Sequence, residues 1–95
     1  MIEVPGYLTQ AVLTDNGLSH EELICLEELS ELQKELTKQL RNKGNMHDLV
    51  EEMADVYICL KTIQAGMFIS DREINEAIVE KTDRYLRRQK AGDTK

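Results

Sequence analysis

The sequence predicts an all-α protein: a helical hairpin plus a further long helix, forming a four-helix-type bundle completed by self-association. Three observations carry this. Leu, Ile, Glu and Lys abound, while the chain has one Pro, no Trp and a single Phe; such a composition favours helices and offers little to strands. Apolar residues recur at intervals of three and four, the period of a one-sided helix. Capping signals then divide the chain into segments of helical length.

The elements follow in order. A short helix is expected over 6–16, within an N-terminal arm covering 1–18. Ser19-His20-Glu21-Glu22 reads as a capping box opening a long helix over 19–43, since Ser caps and the Glu three residues on reaches back. Asn45-Met46-His47-Asp48 is a weaker version opening a helix over 45–66, and Ser70-Asp71-Arg72-Glu73 opens one over 70–90. Gly17, Gly44 and Gly66 sit just before these boxes, where helices stop. Residues 91–95 are expected to fray. Ninety-five residues make a single domain, 1–95, with a core small enough that a partner subunit would help.

The 19–43 helix carries an apolar stripe of Cys25, Leu29, Leu32, Leu36 and Leu40, and the 45–66 helix carries Leu49, Met53, Val56, Leu60, Ile63 and Met67. A second strip on the latter, Ala54, Ile58 and Ala65, lies away from its main stripe. A helix apolar on two sides is buried on two sides, so this strip points to self-association.

Composition also excludes partners. A net charge of −6 argues against nucleic acid, whose phosphates call for a surplus of Lys and Arg. No apolar run approaches the roughly 20 residues needed to span a bilayer, so no membrane role is expected. The opening Met1-Ile2-Glu3-Val4-Pro5 lacks the basic and apolar regions of a signal peptide, which leads us to expect a cytoplasmic setting. Cys25 and Cys59 fit there as reduced, buried thiols; without further ligands at the right spacing they make no zinc site. His20 and His47 stand at helix starts and read as exposed neighbours of caps.

The chemistry lies in a repeated pattern. Glu27-Glu28-Leu29-Ser30-Glu31-Leu32 and Glu51-Glu52-Met53-Ala54-Asp55-Val56 read alike, the second lying 24 residues after the first. Positions three apart share a helix side, so Glu28 pairs with Glu31, and Glu52 with Asp55. Glu28 and Glu52 lie at the margins of their stripes, with Glu31 and Asp55 roughly 60° further out. Both pairs therefore stand on the same side of their helix relative to the core and can face one cleft. Glu51, Glu52 and Asp55 have no Lys or Arg within a turn before Lys61, and unneutralised acid favours a bound cation. Four carboxylates without imidazole suit Mg²⁺, with Mn²⁺ possible, and no Glu-x-x-His marks a di-iron bundle. A plain hairpin turning at Gly44-Asn45 would stagger the two motif centres by roughly 8–9 Å, and Glu31 and Asp55 by about 4–5 Å.

ExxE, a spacer of 20 residues over 32–51, then ExxD, all on helices of a small acidic chain, resembles the MazG-like all-α nucleoside triphosphate pyrophosphohydrolases of the short single-domain type. The resemblance runs from about Ser19 to Arg88. It implies Mg²⁺ held by Glu28, Glu31, Glu52 and Asp55, and hydrolysis of a nucleoside triphosphate between its α and β phosphates. It implies a carboxylate as general base, for which Glu27 and Glu31 are the candidates. It also implies phosphate contacts from a late basic segment, matched here by Lys81, Arg84 and Arg88 at i, i+3 and i+7; Arg suits phosphate through bidentate contacts. A homodimer or homotetramer is the expected assembly. Phe68, Tyr57 and Tyr85 are the only aromatics within the matching region, so no base-stacking pocket is placed. The competing reading is a non-catalytic helical interaction module whose acidic face is merely solvated.

Overall fold

The computed structural model describes residues 2–92, and all regular structure in it is helical: α1 (Gly6–Asn16), α2 (Leu18–Leu40), α3 (Met46–Gly66) and α4 (Asp71–Lys90). No helix among the described residues is long and apolar enough to cross a membrane. The tail expected to fray lies largely outside the described residues; Ala91 and Gly92 form a turn.

Helix boundaries follow the local chemistry with one exception. Ser70 caps α4, accepting from the Glu73 amide while Glu73 reaches back to the Ser70 amide. Asn45 caps α3, its side chain accepting from the Asp48 amide at 2.8 Å. The box at Ser19 does not form. Helix α2 already begins at Leu18, capped by Gly17 without a side-chain bond, and Glu21 N donates to Gly17 O. The cause is Gly17 itself: at φ +83 it bends the chain so sharply that one residue suffices between α1 and α2. At the far end of α3, Gly66 lets the helix close on the α1–α2 junction, since a methyl there would stand 2.5 Å from Leu18 Cδ1.

Helices α2 and α3 form an antiparallel hairpin, and α1 folds back against both, mainly α3. Helix α2 stops at Leu40 rather than running to 43, and α3 starts at Met46. The turn therefore centres earlier than a bend at Gly44-Asn45 would, which slides α3 back along α2 by about 4–5 Å. About half of the expected stagger disappears.

The centre of the hairpin is thin. Cys25, Val56 and Cys59 are its buried apolar residues, with Thr62 (1% exposed) and Thr9 (6%) filling the close contacts to α1. Thr62 Oγ1 donates to Ile58 O and Thr9 Oγ1 to Gly6 O, which satisfies both hydroxyls inside their own helices. The two cysteines are free and buried, as a reduced state requires.

Two packing expectations are corrected. The strip Ala54, Ile58 and Ala65 is partly covered within the chain: α1 and the preceding arm lie over this side of α3, leaving Ile58 and Ala65 half-buried and Ala54 exposed. There the arm frames an apolar cleft of about 450 Å³ with Val4, Pro5 and Leu8 opposite Met53, Ala54 and Ile58. The main stripe of α2, by contrast, is largely uncovered. Leu29, Leu36 and Leu40 are 42, 49 and 87% exposed, and Met53, Leu60 and Met67 of the α3 stripe are exposed too. The helix faces meet along a line rotated toward Glu28 and Glu35, so carboxylates take inner positions that the period had assigned to leucine.

Helix α4 touches the rest of the chain only slightly, and every residue in it is exposed. It is fastened only at its start, where Asp71 accepts from Lys61 Nζ and Gln64 Nε2. Those bonds, Lys61 first, hold the Asp71 carboxyl below the usual range. The radius of gyration, 16.2 Å, records the projection, since a compact chain of this length would have about 12 Å.

Candidate metal centre

Glu28 comes from the middle of α2, and Glu52 and Asp55 from adjacent turns of α3. One carboxylate oxygen from each lies within 4.8 Å of the others. The earlier hairpin turn helps, because it takes about 4–5 Å from the offset between Glu28 and the ExxD motif. Glu28 and Glu52 are half-buried and Asp55 is exposed, so the group opens to solvent on one side.

Crowded carboxylates resist ionising together. Burial first, then the charges of Asp55 and Glu52, push the Glu28 carboxyl above its ordinary range. Hydrogen bonding with Asp55 and Glu52 adds to the same shift. Glu52 is raised as well, by burial and then by Asp55 and Glu31, against a lowering by the Glu28 hydrogen bond. Glu52 Oε2 is buried with no hydrogen-bond partner. Three hard oxygen donors, one with an unpartnered oxygen, fit a divalent cation of the Mg²⁺ or Mn²⁺ kind. The nearest soft group does not compete: burial, with Cys25 and Glu28 adding, pushes the Cys59 thiol up to about 12.

The other sequence candidates stand around this group. Glu31 is exposed and pairs with Lys34 Nζ at 3.3 Å, yet its charge is felt at Glu52. Glu27 is exposed on α2, outside the three-residue group. Lys81, Arg84 and Arg88 line the projecting α4; Arg84 pairs with Glu80 at 3.3 Å. Since α4 does not pack on the hairpin, a single chain does not gather these cations around its own carboxylates. His47 is exposed and contacts Glu51, so one acid of the second motif has a local partner that a search for Lys and Arg passes over.

Two further inner residues carry no mark in the ExxE and ExxD patterns. Glu21 is buried and accepts from Asn16 Nδ2 at 2.9 Å, tying the end of α1 to α2. Glu35 is buried, 8% exposed, and its Oε2 accepts from Lys38 Nζ at 3.0 Å. The signal for Glu35 was its position seven residues after Glu28, which repeats the same helix face.

Compared with protein-family models, with curated proteins and with solved structures, the chain matches none.

Proposed function

We propose that the chain is a cytoplasmic Mg²⁺-dependent nucleoside triphosphate pyrophosphohydrolase of the MazG-like type, releasing the monophosphate and pyrophosphate. The observation that carries this reading is the meeting of Glu28, Glu52 and Asp55 oxygens within 4.8 Å across the hairpin. When bound, Mg²⁺ offsets triphosphate charge and polarises the attacked phosphoryl group.

The chain's own residues supply the rest. Glu28, Glu52 and Asp55 hold the ion, with Glu31 beside them as a fourth carboxylate released from Lys34. Water attacks phosphorus, the anhydride P–O bond between the α and β phosphates breaks, and pyrophosphate leaves with that oxygen. The proton given up by the water passes to a carboxylate oxygen of Glu31 or Glu27, both of which face solvent. Lys81, Arg84 and Arg88 bind phosphate from the α4 of a second copy in a homodimer or homotetramer. Charge favours that arrangement, since segment 81–90 holds five Lys and Arg against one Asp.

A second reading has its own support. The exposed Leu29, Leu36, Leu40, Met53 and Leu60 would equally serve a non-catalytic oligomerisation module. Pyrophosphate release from a panel of standard and modified nucleoside triphosphates with Mg²⁺ separates the two. Release is expected from wild type and its loss from Asp55→Asn. No release from any triphosphate leaves the interaction module as the better account, and release that survives Asp55→Asn would sink the proposed metal site.

A further inference from the structure

Two uncovered surfaces of this chain match one another in spacing. On the outer side of α2, Leu26, Leu29, Gln33, Leu36 and Leu40 follow at intervals of three, four, three and four. On α4, Ile74, Ile78, Lys81, Tyr85 and Arg88 follow at four, three, four and three. Every one of these residues is exposed. Such alternation is the seam of a coiled coil, where side chains at a 3.5-residue period meet those of a second helix. Helix α4 needs such a cover, because helices in proteins are held mainly by packing of their apolar side.

The intervals fix a direction. Read backwards, α4 runs three, four, three, four, as α2 does. Antiparallel helices therefore place Leu40 with Ile74, Leu36 with Ile78 and Leu29 with Tyr85. The inner polar residues coincide, Gln33 with Lys81, whose stem can lie on the seam while its ammonium reaches the edge. Arg88 falls beside Leu26, one turn from Glu22 on the same side of α2. A parallel alignment with matching intervals would set Gln33 against Ile78 and Leu36 against Lys81.

Charge selects the same direction. In α2, segment 18–31 holds five acids and no Lys or Arg, while 32–41 holds Lys34, Lys38 and Arg41 against Glu35. In α4, segment 71–80 holds four acids and one Arg, while 81–90 holds five Lys and Arg and one Asp. Antiparallel, each acidic half meets a basic one; parallel, like meets like. The helix dipole accounts for acid and base only within the end turns, and Glu76, Glu80, Lys81 and Arg84 lie beyond them. Pairs inside α4 occupy Arg72, Arg84 and Arg87, leaving Lys81, Arg88 and Lys90 without an ion pair among the described residues.

Chain connectivity names the occupant. Gly66 abuts Leu18, so α4 sets out from the N-terminal end of α2. To meet Leu40, Ile74 would have to travel the length of α2 from Leu18, about 33 Å. The eight residues from Gly66 to Ile74 span at most about 29 Å even when fully extended, and the last of them are already helical. The chain's own α4 falls short. A second copy's does not, and a two-fold exchange covers both seams at once.

We propose that α4 of each copy lies antiparallel along the outer side of α2 in the other, in a reciprocal two-fold dimer. The inference rests on the self-association part of the reading above and not on metal binding. It deepens that reading by naming the surface, and it brings segment 81–90 level with the part of α2 that carries Glu28 and Glu31.

The test is disulfide cross-linking of the full chain, read with sedimentation velocity. A disulfide forms only where the two Cα atoms come within about 7 Å, and Cys25 and Cys59 are buried. Leu40→Cys with Ile74→Cys is expected to oxidise to a covalent dimer, while Leu26→Cys with Ile74→Cys is expected to stay unlinked. Ile78→Glu, at a position exposed in the single chain, is expected to turn the dimer into a monomer. Adding Leu36→Lys is expected to restore it, since the two residues share a layer. A monomeric wild type, a link closed within one chain, or a faster link from Leu26 than from Leu40 would overturn the proposal. None of these readings uses nucleotide or metal, so a cross-linked dimer without hydrolysis would sustain this inference and sink the enzyme reading alone.

Discussion

The two long faces of α2 reverse the usual order of a small protein. Its inner face, against α3, carries Glu21, Cys25, Glu28, Leu32 and Glu35, all buried or half-buried. Its outer face carries Leu26, Leu29, Leu36 and Leu40, all exposed. Burying carboxylates while leaving leucines in water is unfavourable for an isolated chain. The difference teaches that helical period alone does not choose the buried face: on the function proposed above, the inner face serves a metal ion and the outer one a second copy of the chain. Exposed apolar area on this scale marks an interaction site. Helix α4, amphipathic and wholly exposed with Ile74, Ile78, Tyr85 and Leu86, makes the same point from the other end of the chain.

Four measurements break or sharpen this comparison. The largest effect is expected on the inner face. Glu52→Gln should lower pyrophosphate release by more than the ~10–100-fold that follows loss of a group merely supporting a ligand. Glu31→Gln should cost less, because Glu31 stands outside the three-residue group. Equal losses from both would mean that the inner face does not end where the geometry puts it.

Next comes stability with metal. Saturating Mg²⁺ at 100 times its dissociation constant contributes about 2.7 kcal/mol, or ten or more degrees in Tm for a chain this size. Asp55→Asn should lose most of that gain in a thermal melt. An unchanged Tm in wild type at millimolar Mg²⁺ would leave the buried carboxylates without an explanation.

On the outer face, Leu36→Glu should weaken self-association by roughly 2 kcal/mol, about thirtyfold in the dissociation constant. Sedimentation velocity would read this as a shift toward the monomer, while Mn²⁺ binding at the inner face should persist. A wild-type protein that sediments as a monomer at high concentration would refute the outer-face reading.

The smallest effect concerns pH without metal. The folded chain holds the Glu28 and Glu52 protons more tightly than the unfolded chain, because their folded pKa values are raised. Their contribution to stability is therefore present below the ordinary carboxylate pKa, near 4.5, and is lost as pH rises through the raised values. Asp71 acts in the opposite sense at lower pH, its stabilisation fading as pH falls through its depressed value. Metal-free protein should thus melt lower at pH 7 than at pH 5, and Glu28→Gln should flatten that slope. A Tm that rises steadily over this window would contradict the carboxylate crowding.

Much of the fold could be read from residue order. Helix α1 falls where expected, and the Asn45 and Ser70 caps act as their side chains require, because capping is a contact over three residues. Ser19 misled for an equally local reason, since Gly17 had already started α2. In the site, Glu28, Glu52 and Asp55 meet, while Glu31 turns to Lys34 and Glu35 takes an inner place without belonging to either motif.

The sequence by itself determined what is local and periodic: four helices, their approximate extents, and which sides of them are apolar or acidic. Only the tertiary structure decided which of those sides meet. Periodicity locates a stripe on a helix but does not say what covers it, because covering depends on the rotation and stagger of two helices about a turn. A rotation of roughly 60° about the α2 axis, at ~100° per residue, placed Glu35 inside and Leu36 outside. An earlier turn brought Glu28 nearer to Asp55, and α4 projects from the hairpin with its apolar residues exposed.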